Sequence, residues 1–578
     1  MPLRFLLPLL PAIALTACDG GRTTITPGDS PRAEPSSTVA LHTPSTVDRY
    51  APANGCFTLH DATSDEGMEV TADGAVRFSV RPAEATPLFW KPSTLGEYLL
   101  YDPQRRFISL PAAGDALIDG LECLTALAGW QVAGLGDTLL WLPPALDPVG
   151  NTVDELGDSL ADIDLDTLGD LRGARALTAT TAPDDFSRWI LEDTADGFAL
   201  TNAPTGIPLT SRPLELRPAQ GCTAFPEAEL NARGTPFKGT NPDGTVFGYA
   251  ETHMHLGGSS ALGGRLSYGQ PFHPFGVEHA LDDCAEHHGP NGAIDVLDTV
   301  VNAQRSFPPH ATEGWPTYVD WPQWGSQTHH QTYYVWLQRA WMGGLRLMIN
   351  HLVANEEICQ LWPYSRHDCN EMESLELQLE LIHELERYID AQMGGPGKGF
   401  LRIVYSSAEA RRTIENGQLA VVIGTENEKI FDCGEYLDQP LCTRDHFRSE
   451  LARWYDKGVR AIFPIHLLDN AFGGTRISDD PALSALYQTA NIVATGHPFA
   501  TVPCDEADAR APHGETPIDD PRSIFDSILL AVLGPPPLNV PVPPLTGCVN
   551  NARGLTTMGA DFIHALIDQG VMIETDHT

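Results

Sequence analysis

The chain has 578 residues, 76 of them acidic and 36 basic, for a formal charge of -40. That length exceeds one ordinary domain and allows a sizeable core in each of two or three. The acidic excess excludes a general affinity for nucleic acid or anionic membrane surfaces, and because the acids are scattered they read as a solvated face.

The first 18 residues carry one arginine, an apolar run and small residues before Cys18, which is the pattern of an export signal and is too short for a membrane span. Leu15-Thr-Ala-Cys18 resembles the bacterial lipobox, which implies cleavage before Cys18, diacylation of its thiol and a membrane-anchored exported lipoprotein. Residues 19–51, rich in Thr, Pro, Ser and Gly, read as a flexible tether. Without Cys18 the eleven cysteines become ten, an even number suited to disulfides in an oxidising compartment. Cys359 with Cys369 and Cys433 with Cys442 are near enough in sequence to clip single loops. None of the cysteines has zinc-knuckle spacing, so none is counted as a ligand.

From 52 to 222, short alternating runs such as Ala75-Val-Arg-Phe-Ser-Val and Thr138-Leu-Leu-Trp-Leu are separated by turn residues, as in an all-β accessory domain. The recurring runs Tyr98-Leu-Leu-Tyr and Phe107-Ile-Ser-Leu, each after a turn, are similar to β-trefoil modules of the fascin or ricin kind. The acidic stretch 154–170 reads as an inserted loop or short helix.

After Cys222 strands alternate with helices, the signature of a parallel β/α architecture, here a TIM-type (β/α) barrel over 223–578. Strands are expected at 246–255, 345–351, 400–406, 419–426, 459–466 and 571–577. They end on His255, His351, Ser406, Glu426, His466 and His577. In Gly248-Tyr-Ala-Glu-Thr-His-Met-His-Leu-Gly-Gly258, His253 and His255 are two apart, so on an extended strand both imidazoles project from the same side. Two long insertions, 259–327 and 470–550, interrupt the pattern and read as lids or specificity elements. His287 and His288 in the first are read as part of a solvated loop rather than as a ligand pair.

Three downstream stretches resemble the membrane dipeptidase family, the renal dipeptidase-like zinc peptidases. They are Gly417-Gln-Leu-Ala-Val-Val-Ile-Gly-Thr-Glu-Asn427, the helix-then-strand segment from Leu451 to His466 followed by Leu-Leu-Asp-Asn470, and Met558 to His577, ending Gly-Val-Met-Ile-Glu-Thr-Asp-His577. With His253 they span about 330 residues in matching order. The resemblance implies zinc, in two ions bridged by Glu426. The first would take His253, His255 and Glu426, and the second Glu426, His577 and one further ligand. It implies that a shared water attacks an amide of a dipeptide-like small substrate, with Glu426 and His466 catalytic and with His466 and Asn470 on the substrate. The family has His-x-Asp where this chain has His253-Met-His255, and its later zinc histidine and catalytic aspartate have no counterpart before Thr578. The chain is therefore expected to be a fragment with an incomplete barrel and second metal site. Two other readings stay open at this point: a barrel hydrolase of esters, lactones or phosphoesters, and a non-catalytic, glycan-binding surface protein with a degenerate barrel.

Overall fold

The apolar runs of the N-terminal half form ten short strands, with alternate residues inward in some and nearly every residue buried in others, while turns rich in Gly, Asp and Asn reverse the chain. The computed structural model describes residues 48–110, 177–265, 267–295, 310–319, 328–360, 365–477, 481–503 and 549–577. The signal, Cys18, most of the tether, the run at Thr138 and the acidic stretch 154–170 lie outside these. The strands are β1 (Cys56–Asp61), β2 (Gly67–Val70), β3 (Val76–Val80), β4 (Leu88–Thr94), β5 (Glu97–Tyr101), β6 (Phe107–Ser109), β7 (Thr178–Thr180), β8 (Arg188–Thr194), β9 (Gly197–Asn202) and β10 (Leu214–Pro218). They form one sheet in the order β3-β2-β1-β10-β9-β8-β5-β6-β7, and β4, which pairs with both β1 and β5, closes six of the strands into an antiparallel barrel. Two further antiparallel pairs, β2–β3 and β6–β7, adjoin it. Among the described residues there is no third such pair, so the three-fold repeat of a trefoil is not present there.

By their contacts the residues fall into two compact units, one on 58–86 and 106–217 and the other on 50–57, 87–105 and 218–578. The first is held by fully buried Leu59, Met68, Ile108, Trp189, Leu191 and Leu214, with Trp189 Nε1 donating to the Ile108 carbonyl at 2.8 Å. In the second, a disulfide joins Cys56 to Cys222, and the two expected loop disulfides, Cys359–Cys369 and Cys433–Cys442, are both present.

The second unit carries a parallel sheet of six strands: β11 (Tyr249–Met254), β12 (Leu345–Ala354), β13 (Leu401–Ile403), β14 (Leu419–Asn427), β15 (Val459–Ile462) and β16 (Met572–Ile573). All six start within a few residues of the positions that the apolar runs indicate. The closed TIM barrel expected from them does not form. The path β11-β12-β14-β15-β16, with β13 beside β14, is a parallel half-barrel, and its end strands β11 and β16 are not paired with each other among the described residues. Helices are also few among the described residues. The fold class is thus a closed antiparallel barrel plus an open parallel sheet, not an all-β domain followed by a (β/α) barrel.

Five well-defined helices pack on or beside this sheet: α1 (Tyr334–Met342), α2 (Glu371–Gln392), α3 (Ser407–Glu415), α4 (Arg444–Asp456) and α5 (Thr557–Gln569). Four begin on a side chain that accepts an otherwise orphaned backbone N–H: Asn370 from Glu373, Ser406 from Glu409, Thr443 from His446 and Thr556 from Gly559. Their apolar faces converge with the sheet. Leu379, Ile382 and Leu385 of α2, Phe447 and Trp454 of α4, and Phe562 of α5 share one core with Met348, Val421, Ile423 and Ile462. Each such side chain contributes about 1.5–3 kcal/mol on burial. β14 lies at the centre and is buried on both faces, which is why its sequence is a continuous apolar run rather than an alternating one. Phe272, Val277 and Leu281, from the first insertion, which reads as a lid or specificity element, are buried in this same core.

Candidate metal centre

Parallel strands in register end at one edge of their sheet, and that edge is where such sheets present ligand sites. Here the ends of β11, β14, β15 and β16 deliver His255, Glu426, His466 and His577, with His253 two residues before His255. All five side chains meet. His253 Nε2 is 3.0 Å and His255 Nε2 3.3 Å from Glu426 Oε2, while His466 Nε2 is 2.9 Å and His577 Nε2 3.2 Å from Glu426 Oε1. One carboxylate thus offers each of its oxygens to a separate pair of imidazoles. The rings within each pair are nearly perpendicular, at 85° for His253 with His255 and 82° for His466 with His577. Phe463 packs an apolar floor against His253, His351 and His577.

The spacing suits cations. Two ligand atoms each about 2.0–2.1 Å from a tetrahedral zinc ion are about 3.4 Å apart, and His253 Nε2 lies 3.2 Å from His255 Nε2. His253, His255 and Glu426 form one group able to hold a metal ion, and Glu426, His466 and His577 form another. Two of the imidazoles are fixed from behind. His255 Nδ1 lies 2.9 Å from the His351 carbonyl and His466 Nδ1 2.7 Å from Glu428 Oε1. In each case Nδ1–H donates outward and Nε2 faces the centre, where a metal ion could take the place of the proton that His466 shares with Glu426.

Electrostatics follow from this packing. Burial by itself would raise the Glu426 carboxyl, but hydrogen bonds to His253, His466 and His577 hold it far below the ordinary carboxylate range. Burial opposes charge on His466, yet Glu428 and Glu426 on its two nitrogens push it up to about 10. The hydrogen bond to Glu426 raises His253, whereas burial lowers His255. A carboxylate and imidazoles this crowded call for cations, whether protons or metal ions.

His466, expected on the substrate, lies beside His577 in one of the two groups able to hold a metal ion. Asn470 does not reach the centre. Its amide donates to the Glu428 and Pro464 carbonyls, both at 3.0 Å, and its Oδ1 accepts from Phe472 N at 2.9 Å, so the side chain is buried and occupied in shaping its own loop. Sequence reasoning missed Glu428, which accepts from Asn355, His466 and the backbone of Leu467 and Leu468. The available signal was Glu426-Asn-Glu428, two carboxylates at the strand-alternation spacing. His351, expected as a strand-end polar group, is fully buried and its pKa is lowered to about 4 by burial.

Two other side-chain groups have comparable donors. Glu435, Asp438 and His497 surround Arg553, whose guanidinium pairs with both carboxylates and already balances them. The other, Cys284 with His288, His310 and His329, is wholly buried. His287 and His288 are thus interior residues, not part of a solvated loop. Comparison of the chain with protein-family models, curated proteins and solved structures gave no match.

Proposed function

We propose that the chain is a metal-dependent hydrolase of amide or peptide bonds in small substrates, dipeptidase-like, with zinc held around Glu426. The observation that carries this reading is one carboxylate shared between two pairs of imidazoles, because a bridging carboxylate offsets the repulsion of two cations held a few Å apart. His253 and His255 would hold one ion, and His466 and His577 the other. When bound, such a pair supplies a water that loses its proton near neutral pH and positive charge for the oxygen of the attacked carbonyl.

The chain's own residues do the rest. Glu428 and the His351 carbonyl keep His466 and His255 in the tautomer that a ligand needs. The flank formed by His253 and His577, whose side chains are 36% and 30% exposed, is where a substrate would enter, while Glu426 at 4% stays out of reach of bulk water. The disulfides support export to an oxidising compartment, which fits anchoring through Cys18.

Zinc analysis of the purified full chain, together with hydrolysis of a dipeptide panel, tests the proposal. Glu426→Gln is expected to lose the metal of this centre and all turnover while remaining folded by circular dichroism. A folded Glu426→Gln protein that keeps its full zinc content, or a fully loaded wild type that cleaves no amide, overturns it.

A further inference from the structure

We propose that Cys284, His288, His310 and His329 form a separate, closed zinc site that ties the turn at 284–288 to His310 and to the stretch at 328–330. The ligand atoms of these four residues all lie within 4.8 Å of one another, and all four residues are buried. The three imidazoles are mutually perpendicular: His288 and His310 at 90°, His288 and His329 at 82°, His310 and His329 at 85°. Cys284 Sγ is 3.4 Å from His310 Nε2. Arms of about 2.3 Å to sulfur and 2.1 Å to nitrogen at a tetrahedral angle set these atoms about 3.5 Å apart.

Separate backbone devices bring the donors together. Cys284 precedes the one-turn helix Ala285–His288, and the bond from His288 N to the Cys284 carbonyl at 2.8 Å puts their side chains on one face. His329 is placed by its bridge to Tyr268, with Tyr268 N donating to the Thr328 carbonyl and His330 N to the Tyr268 carbonyl. Gly292, at φ 68°, leaves room for His310, since a Cβ there would come within 2.5 Å of that ring. Asp295 stands behind the cluster, its Oδ2 3.5 Å from His288 Nδ1 and 3.8 Å from His310 Nδ1, and it accepts from Thr328 Oγ1 at 2.5 Å. A carboxylate behind ligating imidazoles is the usual outer partner of a zinc site.

One thiolate and three imidazoles select zinc over magnesium or calcium. Four protein donors leave no open position, so the role is structural rather than catalytic. On binding, the Cys284 thiol gives up its proton to solvent and its sulfur joins the metal. Among the described residues Cys284 is the one cysteine outside a disulfide, which leaves its sulfur available for this role. The site shares no residue with the Glu426 centre and does not depend on catalysis there.

Cobalt loading of the full chain tests the proposal. The wild type is expected to show near-ultraviolet absorption from thiolate-to-cobalt charge transfer, unchanged in Glu426→Gln and absent in Cys284→Ser. A loaded wild type without that absorption, or a Cys284→Ser protein that retains it, overturns the site. Should Cys284→Ser fail to fold, peptide mapping of alkylated wild type decides the matter. Cys284 is expected to be protected with zinc bound and modified after chelation, and labelling that does not depend on zinc, in either direction, overturns the site.

Discussion

The Glu426 centre and the Cys284 cluster are built from similar donors, and opposite roles are proposed for them. Around Glu426 the imidazoles stand at strand ends on a rigid sheet, and His253, His255 and His577 keep about a third of their side-chain surface open. Around Cys284 the donors come from short turns, and none is more than 5% exposed. A sheet edge can hold its geometry without a cation and so can leave positions for water and substrate. The turns around Cys284 reach the main core through Val277 and Leu281, and a cation would fix the donors that lie beyond that contact. The difference teaches that donor type alone does not assign a role, whereas the stiffness of what carries the donors does.

Chelation probes this contrast most strongly. Stripping the metals from the full chain should cost hydrogen-exchange protection at 277–288 and 328–330 by about 100-fold or more, while β12 and β14 change by less than about tenfold. Equal losses in both regions would erase the distinction. A smaller effect is expected of Glu428→Gln, which keeps every ligand but removes the carboxylate that orients His466. Zinc affinity at the Glu426 centre should fall by about 10–100-fold, as measured by competition with a chromophoric chelator, and the cobalt–thiolate absorption should stay as it is. The smallest effect concerns Gly424→Ala, because a Cβ there would come within 2.3 Å of His351 Nδ1 and displace that ring. Thermal denaturation should show a loss of about 1–3 kcal/mol, with zinc affinity falling only through the His351 carbonyl that steadies His255. Unchanged stability would mean that the ring is not wedged against β14.

Much of the Glu426 centre could be read beforehand because apolar runs such as Leu419-Ala-Val-Val-Ile end on a chemically active residue, and parallel strands bring such ends to one edge. Strand existence is local information, but strand neighbours are not. Nothing in the runs reveals that β12 pairs directly with β14 or that β11 and β16 are not paired with each other among the described residues, and so a closed barrel was expected where a half-barrel forms. His466 as ligand and His466 as substrate contact need the same strand-end imidazole, so the sequence alone does not separate the two. The Cys284 cluster was illegible for a different reason. Its donors sit at 284, 288, 310 and 329 with no knuckle spacing, and the Tyr268–His329 bridge that gathers them is a long-range event. Loop disulfides were legible because their partners are only 10 and 9 residues apart.

Glu428 has a consequence for movement at the centre. Its two oxygens tether the turn after β15 at Leu467 and Leu468, grip His466 and hold Asn355, so that wall is anchored on several sides at once. It cannot swing back without breaking these bonds together. The rigid side of the centre is thus the one that Glu428 binds, and any movement there is left to the half-exposed side chains of His253 and His255.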